Sequence, residues 1–261
     1  MSQTTEQKAA AFEALHSGEP FVIPNPWDAG SARVLAALGF RALATTSSGF
    51  AFTLGRLDGG ATLDEVVDHV AELAYATDLP VSVDLEDGHG DDPGAAIARI
   101  AEAGAVGGSI EDWDGKHLYS LDEALARMVA AVDAARAVGF PFTLTARAEN
   151  YIRGDPDLED TIVRLQAFET AGADVLYAPG LSDLEDIRAV CGAVAKPVNV
   201  LARPELTFDA LVTAGAQRVS VGGALTWSAV KALVEAATAI RDRGDFSLLG
   251  SSPPGDWLEP A

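Results

Sequence analysis

ARIAEAGAVGGSI, residues 98–110, decides the fold. An Ala-rich segment with apolar residues at helical spacing runs into Gly104, and a short uncharged strand follows and ends at Glu111. A Gly just past a helix enters the left-handed conformation without a Cβ penalty, so it marks the stop. The same helix–Gly–strand unit returns as VLAALGFRALATT (34–46), AAVDAARAVGFPFTLTAR (130–147), AFETAGADVLYAP (167–179) and ALVTAGAQRVSVG (210–222). Start signals match the stops. Thr62 to Glu65, Ser120 to Glu123 and Ser182 to Glu185 read as capping boxes. Asp92-Pro93 and Asp155-Pro156 place a cap before a Pro at the first helical position. The strands are continuous apolar runs rather than alternating ones, which predicts a parallel sheet covered by helices on its open faces.

Working outward, strands are expected at about 20–25, 42–46, 80–85, 106–111, 141–147, 174–178, 197–201 and 217–222, each followed by a helix. Eight such units within 261 residues predict one α/β domain, a (β/α)8 TIM barrel. The alternative, a doubly wound open sheet, usually opens with a Gly-rich phosphate loop after its first strand, and that position reads NPWDAGSA. A helix over about 4–17 precedes the barrel. The expected division is therefore an N-terminal helical segment 1–17, a barrel 18–244 and an arm 245–261 carrying Pro253-Pro254 and Gly255.

The chain has 18 Lys plus Arg against 39 Asp plus Glu, a formal net charge of −21. Such a surface repels phosphate backbones and anionic lipid, so neither nucleic acid nor membrane is an expected partner. The single cysteine, Cys191, allows no intrachain disulfide and reads as a small buried hydrophobe in the sixth barrel helix. No apolar run reaches membrane-spanning length, and MSQTTEQKAA lacks a signal-peptide core, so a cytoplasmic protein is expected.

In a barrel of this kind the active site lies at the C-terminal ends of the strands. Those ends carry Asn25 and Asp28; Thr46, Ser48 and Gly49, with Asp58 following; Asp84, Glu86 and Asp87; Glu111 and Asp112; Arg147, Glu149 and Asn150; Asn199; and Gly222-Gly223. Carboxylates crowded on one rim cannot all ionise without a compensating cation. Hard oxygen ligands suit Mg2+ or Mn2+. A carboxylate pair in acid–base work and a plain solvated rim are the alternatives. Arg147 either clamps an acidic group bidentately or pairs with Glu149 or Glu111.

Four segments carry a family resemblance. VSVDLEDGHGD (81–91) resembles the Asp-x-Asp-x-Gly-x-Gly motif of the isocitrate lyase/phosphoenolpyruvate mutase superfamily. SSGFAFTLGRLDG (47–59) resembles its Ser-Gly stretch leading to an Asp, GSIEDWDGK (108–116) its Ile-Glu-Asp segment, and LTARAENYIRG (144–154) its Ala-Arg-x-Glu segment. VIPNPWDAGSARVLAALGF (22–40) resembles its opening strand, and the likeness runs from about 8 to 240. The resemblance is to the branch of phosphonopyruvate mutases and hydrolases and oxaloacetate decarboxylase-like enzymes. It implies bond cleavage next to the carboxylate of a small 2-oxo or 2-hydroxy acid, through an enolate. Asp84 would ligate Mg2+ directly, with Glu86, Asp58 and Glu111 holding it through waters. Thr46, Ser48, Gly49, Phe50, Asp84, Arg147 and Asn199 are the expected substrate contacts, and Arg147, Glu111, Lys116 and His117 the expected catalytic groups. A homotetramer or homodimer is implied, with the last helix, about 226–242, exchanged between subunits.

The chain departs from the family pattern in three places. Glu86 stands where the motif has Asp, and Thr46 where some mutases have Trp. The loop after strand four reads Trp113-Asp114-Gly115-Lys116-His117, without the Cys that isocitrate and methylisocitrate lyases carry there. Lys116 and His117 are left as gating-loop groups or plain solvated ones. His89 is expected beside the substrate, and Tyr151 and Asn150 near it. Phosphorus–carbon chemistry and a non-catalytic carboxylate-binding barrel remain the rival readings.

Overall fold

The computed structural model describes residues 3–90 and 92–250. Helix α1 (Thr5–Leu15) leads into β1 (Phe21–Ile23), α2 (Ala29–Ala37), β2 (Leu43–Ala44), α3 (Ser47–Thr53) and α4 (Leu63–Ala76). Then come β3 (Val81–Asp84), α5 (Pro93–Glu102), β4 (Gly107–Glu111), α6 (Leu121–Ala137), β5 (Thr143–Arg147) and α7 (Leu158–Ala171). The chain closes with β6 (Val175–Tyr177), α8 (Leu184–Ala193), β7 (Val198–Leu201), α9 (Phe208–Thr213), β8 (Arg218–Ser220) and α10 (Ala224–Arg243). All ladders are parallel, in the order β1-β8-β7-β6-β5-β4-β3-β2. This is the (β/α)8 barrel that the sequence predicts, nearly closed.

The seam lies between β1 and β2, where Ala44 N–H donates to the Pro24 carbonyl at 3.0 Å. Asn25 reinforces it. Its amide donates to the Thr45 carbonyl at 2.8 Å, and its Oδ1 accepts from Val221 and Gly222 N–H at 3.0 and 2.9 Å. One side chain thus ties the ends of β8, β1 and β2.

Helix α1 plugs the opposite end. Thr4 and Gln7 form its capping box. Lys8 donates to the carbonyls of Ala74 and Thr77 at the end of α4, at 3.2 and 2.8 Å. Phe12 is fully buried. It presses on Gly107, where a Cβ would come within 2.9 Å of the Phe12 ring and 2.8 Å of the Thr143 carbonyl. Between sheet and helices, Ile97, Ile100, Leu144, Leu165, Phe168 and Leu176 are completely buried. Each such side chain contributes roughly 1.5–3 kcal/mol of transfer energy.

The capping boxes at Thr62 and Ser120 form, and Asp92 caps α5 with Pro93 at its first turn. Two start signals are corrected. Asp183, not Ser182, caps α8 through the Glu185 N–H. Helix α7 starts at Leu158 under Asp157 rather than at Pro156, because Asn150 holds the carbonyls of Asp155 and Asp157 in a loop. Helix α3 is an addition: the Ser-Gly stretch placed at the end of strand two is one short helix capped by Thr46. Residues 245–250 are irregular, and the Pro253-Pro254-Gly255 part of the expected arm lies outside the described residues. Among the described residues no helix is long and apolar enough to cross a membrane.

Candidate active site

Ladder pairing builds the site. Glu111 pairs with Arg147, Arg147 with Tyr177, Tyr177 with Asn199, and Asn199 with Arg218. Paired residues on neighbouring strands point to the same face. Glu111, Arg147 and Tyr177 end their strands, whereas Asn199 is the second residue of β7 and Arg218 the first of β8. Barrel strands tilt, so the row descends from the mouth into the interior. Branched apolar side chains normally fill that space. Here it holds a polar row bordering a cavity of about 180 Å³.

Arg147 is the hub at the upper end. Its guanidinium lies 2.6 Å from Asp84, 2.8 Å from Glu111 and 2.9 Å from Glu149. Arg153 joins Glu111 and Glu149 at 3.1 and 2.9 Å, and its guanidinium stands 5.0 Å from the Trp113 ring centroid. Burial opposes ionisation of Asp84. Arg147 and the Ser47 and Glu86 N–H groups outweigh it and hold that carboxyl below its ordinary value. Burial equally opposes the charge on Arg147, and Glu111, Glu149 and Asp84 more than restore it. Glu111 is pushed upward by burial, with Glu149 and Asp84 adding to it against Arg147 and Arg153.

Above this hub the mouth widens into a second cavity of about 580 Å³, bordered by Asp58, Glu86, His89, Glu111 and Trp113. Glu86 and His89 hold left-handed backbone, φ 52° and 57°. Such conformations cost of order 1–3 kcal/mol each in non-Gly residues and cluster at functional sites. Glu86 is raised to about 7 by burial and by Asp84, Asp58 and Asp87.

The expected residues divide clearly. Asp84, Glu86, Asp58 and Glu111 do gather around the mouth, but Asp84 and Glu111 are drawn to arginines. Among the described residues no three acidic, His or Cys side chains stand as a ready metal cage. Arg147 is the ion-pair hub and not an open clamp. Thr46 and Ser48 border the inner cavity, their hydroxyls 3.3 Å apart. Asn199 is buried there too, donating to Ser220 at 3.0 Å.

Other expected contacts have different surroundings. The Gly49 N–H is taken by Thr46 at 3.3 Å, and the glycine is required by packing. Phe50 points into the core, stacked on His69 at 4.0 Å, away from both cavities. Lys116 and His117 are exposed, with their N–H groups bonded to Asp114, and border neither cavity. Asn150 knots its own loop through Thr161 at 2.7 Å, and Tyr151 donates to Asp186 at 3.3 Å. The Gly222 N–H is bound by Asn25 and not offered to an anion. Asp112 is structural, 3.0 Å from the buried Arg164.

Three further residues belong to the row and its hub, two of them away from the strand ends. Arg153 sits one turn after Glu149, a spacing visible in the sequence. Tyr177 ends β6, with its ring centroid 5.4 Å from the Arg147 guanidinium. Arg218 opens β8, and only the tilted register brings it into the cavity. His16, at the C-terminal end of α1, accepts from Arg218 at 3.2 Å.

The sequence model described as Phosphoenolpyruvate phosphomutase matches residues 12–241. An oxaloacetate decarboxylase of Paraburkholderia xenovorans (strain LB400) is 31% identical, over 94% of this chain and 85% of its own. A solved structure from Burkholderia cenocepacia J2315, described provisionally as a lyase/mutase, superposes with a TM-score of 0.93 at 52% identity, covering 97% of this chain and 95% of that one. Oxaloacetate acetylhydrolase in complex with oxalate superposes with a TM-score of 0.86 at 26% identity, covering 99% and 92%.

Proposed function

The chain belongs to the phosphoenolpyruvate phosphomutase family, within the isocitrate lyase/phosphoenolpyruvate mutase superfamily, and from that membership we propose a carbon–carbon lyase acting on a small 2-oxo or 2-hydroxy acid through an enolate. The observation that carries the reading is the carboxylate array around Arg147 at the mouth, left short of positive charge at Glu86. Its oxygens are of the kind a hard divalent cation takes, and Glu86, raised by burial first and then by Asp84, Asp58 and Asp87, lies where such a cation would favour the ionised carboxylate. Asp84, Glu86, Asp58 and Glu111 would hold Mg2+ or Mn2+. When bound, the ion supplies positive charge against the negative charge that develops on a substrate oxygen.

The chain's own groups do the rest. Arg147 and Arg153 fix the directions of Asp84, Glu111 and Glu149. Ser48 and Thr46 offer hydroxyls at the wall of the inner cavity. The oxaloacetate decarboxylase relative favours carbon–carbon over phosphorus–carbon chemistry. The expected ligand is a small carboxylate. Assembly with further copies is part of the proposal, because α10 leaves Trp227, Leu233 and Val234 exposed.

Calorimetry with oxalate, a mimic of the enolate, tests this reading. Mg2+ should tighten oxalate at least tenfold, and Asp84→Asn should remove that gain. Equal affinity with and without the ion would overturn the lyase scheme and leave a carboxylate-binding barrel.

A further inference from the structure

The inner cavity is bordered by two guanidinium groups in opposite electrostatic situations. Arg147 has three carboxylates within 2.9 Å. Arg218, at the lower end of the polar row, is only 5% exposed, and its hydrogen-bond partners are all neutral. Its Nε donates to Asn199 Oδ1 at 2.8 Å, Nη2 to Thr145 Oγ1 at 2.9 Å, and Nη1 meets His16 Nε2 at 3.2 Å. His16 Nδ1 faces the Phe12 carbonyl at 2.9 Å, so that nitrogen carries the hydrogen and Nε2 accepts. His16 is therefore uncharged, which agrees with its fall to about 3 through burial and the nearby Arg218.

A guanidinium has five N–H donors. Three are used here, so one remains on each terminal nitrogen. A buried charge with no counter-charge is strongly unfavourable, which is why interior arginines are almost always paired. Burial pulls Arg218 down to about 10. In a barrel whose rim is so acidic, this is the point in the cavity to which an anion is drawn.

We propose that Arg218 forms an anion subsite at the cavity floor, taking the second carboxylate of a small dicarboxylate substrate while the reacting end lies higher, near Ser48 and Asp84. The inference rests on the lyase reading for which end reacts, but not for the subsite itself. Asn199 and Thr145 fix the orientation of the planar fork, and Ser220, bonded to Asn199, borders the same space. The row from Arg147 to Arg218 crosses three strand intervals of about 4.8 Å each, and inward-pointing side chains shorten that span.

The test is calorimetry with succinate and butyrate, two four-carbon acids differing in one carboxylate, in excess chelator without divalent ions. The wild-type protein should bind succinate about thirtyfold more tightly than butyrate. Arg218→Met should bring the two within about threefold while leaving butyrate unchanged. Arg218→Lys keeps the buried charge but loses the fork, so it should weaken succinate alone and serves if the Met variant does not fold. Equal binding of the two acids by the wild type, or undiminished succinate preference in a folded variant, overturns the subsite. Because no metal or turnover enters, loss of metal-dependent oxalate binding with the succinate preference intact would remove the lyase reading and keep Arg218.

Discussion

A methyl group has no room at Gly49. A Cβ there would lie 2.6 Å from both Thr46 Cγ2 and Thr226 Oγ1, so Gly49→Ala must part α3 from α10. Overpacking of this kind typically costs about 1–3 kcal/mol, and each kcal/mol lowers the melting temperature by about 2–4 °C in a chain of this size. Scanning calorimetry should show that drop, and an unchanged melting temperature would refute the packing role. His69 carries a pH prediction. Burial takes it from 6.5 to about 4, only partly opposed by Asp28, and its Nε2 has no hydrogen-bond partner. Below pH 6.5 the unfolded chain therefore binds more protons than the folded one. Stability from this group is complete above pH 6.5 and is lost as pH falls toward 4. Between pH 7.5 and 5 the loss is about 2 kcal/mol. His69→Phe, stacked on Phe50 in the same way, should lose about 2 kcal/mol less than the wild type over that range in urea titrations. Parallel pH dependences in the two proteins would refute it.

At the scale of elements, closure of the barrel depends on the β1–β2 seam, where Asn25 substitutes for a ladder. Asn25→Leu would leave the Thr45 carbonyl and the Val221 and Gly222 N–H groups without their partner. The orphaned Thr45 carbonyl is buried and costs about 1–3 kcal/mol, with less for each of the two half-buried N–H groups, so a loss of about 2–3 kcal/mol is expected. Hydrogen exchange should speed up at residues 43–45 and 221–222 before it does in β4 and β5, and uniform loss of protection would contradict the seam argument. Five of the strands were legible because each comes just after a Gly stop, as at Gly104 before β4 and Gly215 before β8, whereas β3 and β7 follow a Pro, at Pro80 and Pro197. Starts were less so. Asp155 and Asp157 both look like caps, and only the Asn150 hydrogen bonds, a contact across the loop, decide between them. The site was half legible. Asp84, Glu111 and Arg147 stand at strand ends, where a barrel places its chemistry. Arg218 stands at a strand start, and a linear reading cannot supply the register that carries it under the mouth.

Over the whole molecule, charge and apolar surface act against each other. A net charge of −21 disfavours contact between copies, most strongly at low salt, where screening is weak and the repulsion reaches over a longer distance. Yet α10 buries only Thr226 and Ala239 and leaves Trp227, Leu233 and Val234 half to two-thirds exposed. Trp227 also meets Phe52 of α3 edge to face at 5.6 Å, extending the apolar strip toward the mouth. Solvent exposure of such a strip is unfavourable by about 25 cal/mol for each Å² of apolar area, and a second copy of the chain would cover it. Assembly driven by apolar burial against like-charge repulsion strengthens with salt, the reverse of assembly through ion pairs. Sedimentation should therefore show dimers or tetramers whose dissociation concentration falls between 20 and 300 mM salt. Leu233→Glu combined with Val234→Glu should give a folded monomer with unchanged far-ultraviolet dichroism, since neither side chain contributes to the barrel core. A wild-type protein that stays monomeric across that range would mean that α10 is stable as a lone, wetted helix and that no copy of the chain covers it.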